Sequence, residues 1–241
     1  MRRGLLLLLA LLAGIVASTA NAGADRADYS CVAGPDVSFR AADGTKLVGH
    51  AFGNGPTAVI LGHQSNGSLC DWLAFARTLA RLGYTAFAID FRGHGLSQAR
   101  AGAAGNRLAS DLDGAVKLMR KRGKQKIFLV GASMGGIASL VAGANVRPAV
   151  SGVVSVSAPA RFMGMNATAT APRLRVPVLY LAAEADDSAG YDFSEDAREM
   201  YAATAAADKR LQILPGSEHG VALVAGSSRA RALIEGFLRA H

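Results

Sequence analysis

Ser133 stands in the run Gly131-Ala132-Ser133-Met134-Gly135-Gly136, where the apolar segment Ile127–Val130 gives way to a helical one. A strand that turns abruptly into a helix holds such a serine in a strained conformation, and neighbours lacking Cβ relieve the crowding. The turn exposes the hydroxyl at the sheet edge. It also aims the helix N-terminus at the reacting oxygen, whose negative charge backbone N–H groups can stabilise. Gly-x-Ser-x-Gly alone is a weak pattern in a chain with 28 glycines. The strand before it and the helix after it make it strong. The plain alternative is a serine in a glycine-rich structural turn. Phosphate binding is disfavoured, because no Lys-Ser or Lys-Thr follows the glycines.

A serine hydroxyl is a poor nucleophile until a base takes its proton. The chain has 5 histidines. His219, in Pro215-Gly216-Ser217-Glu218-His219-Gly220, follows the last strand at the same sheet edge as Ser133, and is the candidate base. His50 lies in an early hairpin and is expected to face solvent. His241 ends the chain, and His63 and His94 end earlier strands. An acid must then hold the tautomer of the base and stabilise its imidazolium. Asp186 and Asp187 follow the strand Val178–Leu181, and both are candidates.

The elements that position these residues are readable from periodicity. Asp36–Arg40 and Lys46–Phe52 alternate around Asp43-Gly44 and predict a β-hairpin. Ala58–Leu61 is continuously apolar, as in a strand buried on both faces. Trp72, Phe75, Leu79 and Leu82 are spaced as on one helix face, and Gly83 stops that helix. Strands are expected at Tyr84–Ile89, Lys126–Val130, Gly152–Val156, Pro177–Ala182 and Arg210–Leu214. Helices are expected at Leu108–Met119, Met134–Ala144, Phe193–Ala206 and Ala230–Arg239. A hairpin followed by strand-helix units means an α/β fold with a doubly wound, mostly parallel sheet. Ligands bind such sheets at the carboxyl ends of the strands, where all the candidate residues fall.

The chain has 241 residues, 51% hydrophobic and 18% charged, which suits one large domain with a buried sheet. Met1-Arg2-Arg3, the apolar run Gly4–Val16 and Ala20-Asn21-Ala22 have the layout of a secretory signal. We expect a signal peptide over 1–22 cleaved after Ala22, a mobile leader over 23–34, and the folded domain over 35–241. That implies a secreted or periplasmic protein with no stable membrane span after cleavage. The formal net charge is +8. Much of the excess sits in Lys117, Arg120, Lys121, Arg122, Lys124 and Lys126, read as a solvated helix end. Nucleic-acid binding would need a module or stacking platform that is absent from the sequence. Cys31 and Cys70 could form a disulfide in an oxidising compartment or stay as free thiols. Two cysteines without a suitable histidine pattern make no zinc site, and no metal or organic cofactor is implied.

From about Val37 onwards the chain resembles the α/β-hydrolase fold superfamily, close to its compact, lidless esterase and lipase-like branch. The likeness is carried by Val59-Ile60-Leu61-Gly62-His63-Gln64-Ser65, by Asp90-Phe91-Arg92-Gly93-His94-Gly95-Leu96-Ser97, by the turn at Ser133, and by the Asp186 and His219 loops in that order. The resemblance implies Ser133, Asp186 and His219 as a catalytic triad, with Asp187 as the substitute acid. It implies an oxyanion hole from the backbone N–H groups of Met134 and Ser65. The family usually has His-Gly-x where this chain has His63-Gln64-Ser65, so Gln64 is a second candidate donor. His63 and His94 become structural residues.

Caps in this fold are often inserted after the strand ending near Ser157. The segment Ala158–Val176 is too short for a multi-helix lid, so the site is expected to be open and shallow. Phe162, Met163 and Met165 would supply a small apolar wall or plain packing. The resemblance implies hydrolysis of small-molecule or polymer-borne esters through an acyl-enzyme. A peptidase or amidase, a haloperoxidase-like enzyme and a non-catalytic binding protein are its alternatives. The sequence leaves the oligomeric state open.

Overall fold

Alternation builds the sheet. In Thr57–Gly62, Ala58 and Ile60 join one apolar cluster while Val59 and Leu61 join another, and all four are fully buried. A strand apolar on both faces requires cover on both, and burying a side chain such as Ile60 contributes about 1.5–3 kcal/mol. The computed structural model describes residues 31–32, 36–99, 107–188 and 190–241.

The N-terminal hairpin is β1 (Val37–Arg40) and β2 (Lys46–Phe52), and β3 (Thr57–Gly62) follows. A 3-10 turn over Leu69–Trp72 leads into α1 (Leu73–Arg81) and β4 (Thr85–Asp90). Next come α2 (Leu108–Lys121), β5 (Lys126–Ala132), α3 (Met134–Asn145) and β6 (Gly152–Val156). Short pieces follow: β7 (Arg161–Phe162), β8 (Met165–Asn166) and α4 (Ala167–Thr170). The chain continues through β9 (Val178–Ala183), β10 (Asp187–Ser188), β11 (Tyr191–Asp192), α5 (Phe193–Ala203), β12 (Lys209–Leu214), α6 (Val221–Gly226) and α7 (Ser228–Ala240).

Eight strands form one sheet in the order β1-β2-β4-β3-β5-β6-β9-β12. β2 runs antiparallel to both β1 and β4, and the remaining neighbours are parallel. Side chains of α2, α3 and α5 cover one face, and those of α1, α6 and α7 the other. This is the expected doubly wound sheet with an antiparallel hairpin. Only the two-residue strands β7 and β8, the single turn of α4 and a 3-10 turn lie between β6 and β9, so no large cap is present there. Among the described residues, no helix is long and apolar enough to cross a membrane.

Three expectations are resolved or corrected. Cys31 and Cys70 form a disulfide, with Cα atoms 5.9 Å apart. Cys31 and Val32 are half-buried against the core, so the expected mobile leader is anchored at these two residues. The rest of 23–34, and the segment 1–22, lie outside the described residues. His50 does not face solvent. It lies on β2, an interior strand, is buried, and packs against Phe52 with ring centroids 4.8 Å apart.

Three residues of the basic cluster make contacts within the domain. Lys117 pairs with Asp113 one turn away at 2.6 Å, Lys124 donates to Gly55 O at 2.6 Å, and Lys126 donates to His241 O at 2.8 Å.

Candidate active site

Parallel strands deliver their carboxyl ends to one edge, and the candidate residues sit there. His63 follows β3, Ser133 follows β5, Asp186 comes three residues after β9, and His219 lies five residues beyond β12. Because β9 and β12 are adjacent, the Asp186 and His219 loops run side by side. Two backbone bonds join them: Glu184 N–H donates to Leu214 O at 2.8 Å, and Ala185 N–H to Gly216 O at 2.9 Å.

Ser133 has φ 50° and ψ −115°, a conformation that L-residues rarely adopt. Its N–H donates to Val156 O at 2.8 Å on the next strand, which holds the turn in place. The glycines on either side let the backbone close up. A Cβ on Gly131 would collide with the Gly135 carbonyl, and one on Gly135 with the Gly62 carbonyl. Helix α3 starts at Met134, so the Met134 N–H belongs to the first turn, whose donors have no partner within the helix.

His219 Nδ1 lies 2.9 Å from Asp186 Oδ1 and 3.1 Å from Oδ2. Asp186 is buried at 2% exposure, while Asp187 is exposed on β10. A carboxylate accepts only, so Nδ1 carries the proton and Nε2 is left as the basic nitrogen. The ring of Phe193 packs on the imidazole with centroids 4.3 Å apart, and Tyr191 stacks on Phe193 at 5.6 Å.

Ser133 and His219 line one pocket of about 280 Å³, together with Gln64, Ser65, Phe162 and Tyr191 among others. Among the described residues, no Asp, Glu, Lys or Arg side chain is in its lining. Among the described residues, no group of three or more His, Cys, Asp or Glu could hold a metal ion.

A family model described as serine aminopeptidase, S33, matches residues 56–164. An esterase from Pyrococcus furiosus superposes with a TM-score of 0.73 at 20% identity, covering 85% of this chain and 91% of that one. A thermophilic esterase from Thermogutta terrifontis gives 0.71 at 18% identity, covering 86% and 98%. An enol-lactonase from Burkholderia xenovorans gives 0.69 at 16% identity, covering 85% and 100%. A search of curated protein sequences finds no match. The strand order and these near whole-length superpositions decide the fold. The chain has the α/β-hydrolase fold.

Within this α/β-hydrolase fold, His63 is wholly buried and uses both ring nitrogens. Nε2 accepts from Phe91 N–H at 3.0 Å, which leaves Nδ1 to donate to Gln64 O at 2.7 Å. Burial pushes its pKa down to about 4, so the ring is neutral. The bond fixes the direction of the Gln64 carbonyl, and across a trans peptide the Ser65 N–H must point the opposite way. His94 Nε2 lies 2.9 Å from Ser65 O and its Nδ1 3.2 Å from Arg92 O. The two histidines thus grip successive carbonyls of the loop that carries Ser65.

The apolar wall is only partly as expected. Phe162 lines the pocket, but Met165 is buried in the core and Met163 is exposed at the tip of the β7–β8 turn. A two-residue strand alternates, so neighbouring side chains cannot all face the site. Sequence reading missed Tyr191, Phe193, Ser188 and Pro159 as lining residues. Tyr191 and Phe193 had a usable signal: two aromatics lie close behind the acid, in a segment tied to the site edge. It also missed α6, which begins two residues after His219.

Proposed function

We propose that this protein is an exported serine hydrolase that cleaves small, uncharged carboxylic esters through an acyl-enzyme. The observation that carries the reading is the Asp186–His219 hydrogen bond beside the pocket lined by both His219 and Ser133. Ser133 Oγ attacks the ester carbonyl carbon, and its proton passes to His219 Nε2. Asp186 holds Nδ1–H and stabilises the imidazolium. The N–H groups of Met134 and Ser65 hold the oxyanion. Collapse expels the alkoxide, which takes the proton from His219 and leaves as the alcohol. Water then attacks the acyl-enzyme by the same route and regenerates Ser133.

The pocket chemistry supports an uncharged substrate. An aminopeptidase must neutralise a free ammonium group, and among the described residues no carboxylate lines the pocket. At about 280 Å³ it lies just below the roughly 300–1,000 Å³ of drug-sized sites, which suits a short acyl group. With no large cap, the alcohol portion can extend into solvent, so a polymer-borne ester fits as well as a free one. Amide cleavage is the second reading, favoured by the family match over residues 56–164. Nitrophenyl acetate, butyrate and longer esters, assayed beside aminoacyl nitroanilides, separate the two. The ester reading expects kcat/KM to peak at a short acyl chain and to exceed every anilide. An anilide preferred over all esters would replace it with the peptidase reading.

Export is supported by the layout of residues 1–22 and by the Cys31–Cys70 disulfide, a bond that persists in oxidising compartments. N-terminal sequencing of the mature protein should begin at Gly23. Retention of Met1 in the purified, disulfide-bonded protein would count against a cleaved signal.

A further inference from the structure

The chain has glutamine where the superfamily usually has glycine, and the structure gives that side chain a job. Gln64 Oε1 accepts from the backbone N–H of Val221 at 3.2 Å, spanning 157 residues of sequence. At its other end, Nε2 donates to Asn66 Oδ1 at 3.0 Å. The Val221 N–H can only donate, so it fixes which end of the amide faces it. Val221 is the first residue of α6 and lies two residues after His219. Its N–H is one of the helix-start donors that lack an intrahelical partner.

The two ends of this contact belong to different parts of the site. Gln64 precedes Ser65, and its own carbonyl is held by His63. Gly220, between His219 and Val221, has φ 57° and ψ −121° and leaves room for the amide, since a Cβ there would come within 2.6 Å of Gln64 Oε1. The Ala222 N–H bond to His219 O at 3.0 Å ties the same turn back to the base. A glycine at position 64 could make none of these side-chain bonds.

We propose that Gln64 is a positioning residue that clamps the oxyanion loop to the base loop, fixing the separation between the Ser65 N–H and His219. The proposal rests on the ester-hydrolase reading above. An oxyanion donor and a proton acceptor serve one transition state, so a misplacement of about 1 Å between them costs on the order of 100-fold in rate. The clamp acts on the transition state more than on the bound ester, so its loss should appear in kcat rather than KM.

The test compares wild type with Gln64→Ala, Gln64→Gly and Gln64→Met on nitrophenyl butyrate. Amide exchange at Val221 and thermal unfolding are followed in parallel. Methionine keeps the volume and removes both hydrogen bonds, so it separates clamping from packing. The expected result is kcat lowered roughly 10- to 100-fold in all three, KM within about threefold of wild type, and faster exchange at Val221 in folded protein. Asn66→Ala, which leaves the Val221 bond in place, should lose far less. Wild-type kcat in folded Gln64→Met and Gln64→Ala would overturn the clamp while leaving the ester reading intact. Wild-type protein that neither turns over the ester nor reacts with a fluorophosphonate would overturn the ester reading itself, and the clamp with it.

Discussion

Asp186 and His219 are 33 residues apart in sequence and meet through Nδ1–Oδ1 at 2.9 Å, whereas Asp187, the very next residue, is turned to solvent. Geometry therefore separates two carboxylates that the sequence left as neighbours. Asp186→Asn would present an amide to Nδ1 and favour the wrong tautomer, so kcat should fall roughly 1,000- to 10,000-fold. Asp187→Asn should stay within about threefold of wild type, because an exposed carboxylate has little leverage on the imidazole. Steady-state kinetics on a short nitrophenyl ester decide between them. A larger loss at Asp187 would reverse the assignment.

His63 makes stability depend on pH. Its pKa is about 4 in the folded protein against about 6.5 when exposed in the unfolded chain. Between these values the unfolded state binds more protons, so stability rises with pH. The contribution is complete above pH 6.5 and is lost as pH falls toward 4, on the order of 3 kcal/mol in all. Asp43, held well below the usual carboxylate range chiefly by Arg92, adds its own loss only below about pH 4. Urea unfolding from pH 8 to 4 should therefore give a plateau and then a decline beginning near 6.5. A curve flat down to pH 4 would contradict the neutral, buried assignment.

The reach of the sequence can be judged residue by residue. Strands such as Ala58–Leu61 and the turn at Ser133 were legible because their signals are local: apolar runs, glycines at fixed offsets and a change of period. The placement of His219 at the edge shared with Ser133 followed from its position after a strand. Contacts between distant segments were not legible. His50 was misjudged because a hairpin strand gives no sign that β4 will pair with its far side. The Cys31–Cys70 separation and the Gln64–Val221 contact are properties of the closed fold. Helix α6 was missed because its six residues, directly after Gly220, are too few to show a period.

The disulfide closes a span of 39 residues. The chain-entropy estimate for such a loop is about 4 kcal/mol, and in a domain of this size each kcal/mol moves Tm by roughly 2–4 °C. A double Cys31→Ser, Cys70→Ser variant should melt well below wild type, while wild type should shift on a gel between reducing and non-reducing conditions. Equal melting temperatures would show that the link contributes nothing to stability.

The most direct measurement asks whether Ser133 is an activated nucleophile. Purified, folded protein is treated with a fluorophosphonate, and the adduct is located by intact mass and peptide mapping. An activated nucleophile at this position gives one adduct, on Ser133, absent from Ser133→Ala and formed far more slowly in His219→Ala. Folded wild-type protein that takes no label, or takes it on another residue, would contradict this role of Ser133.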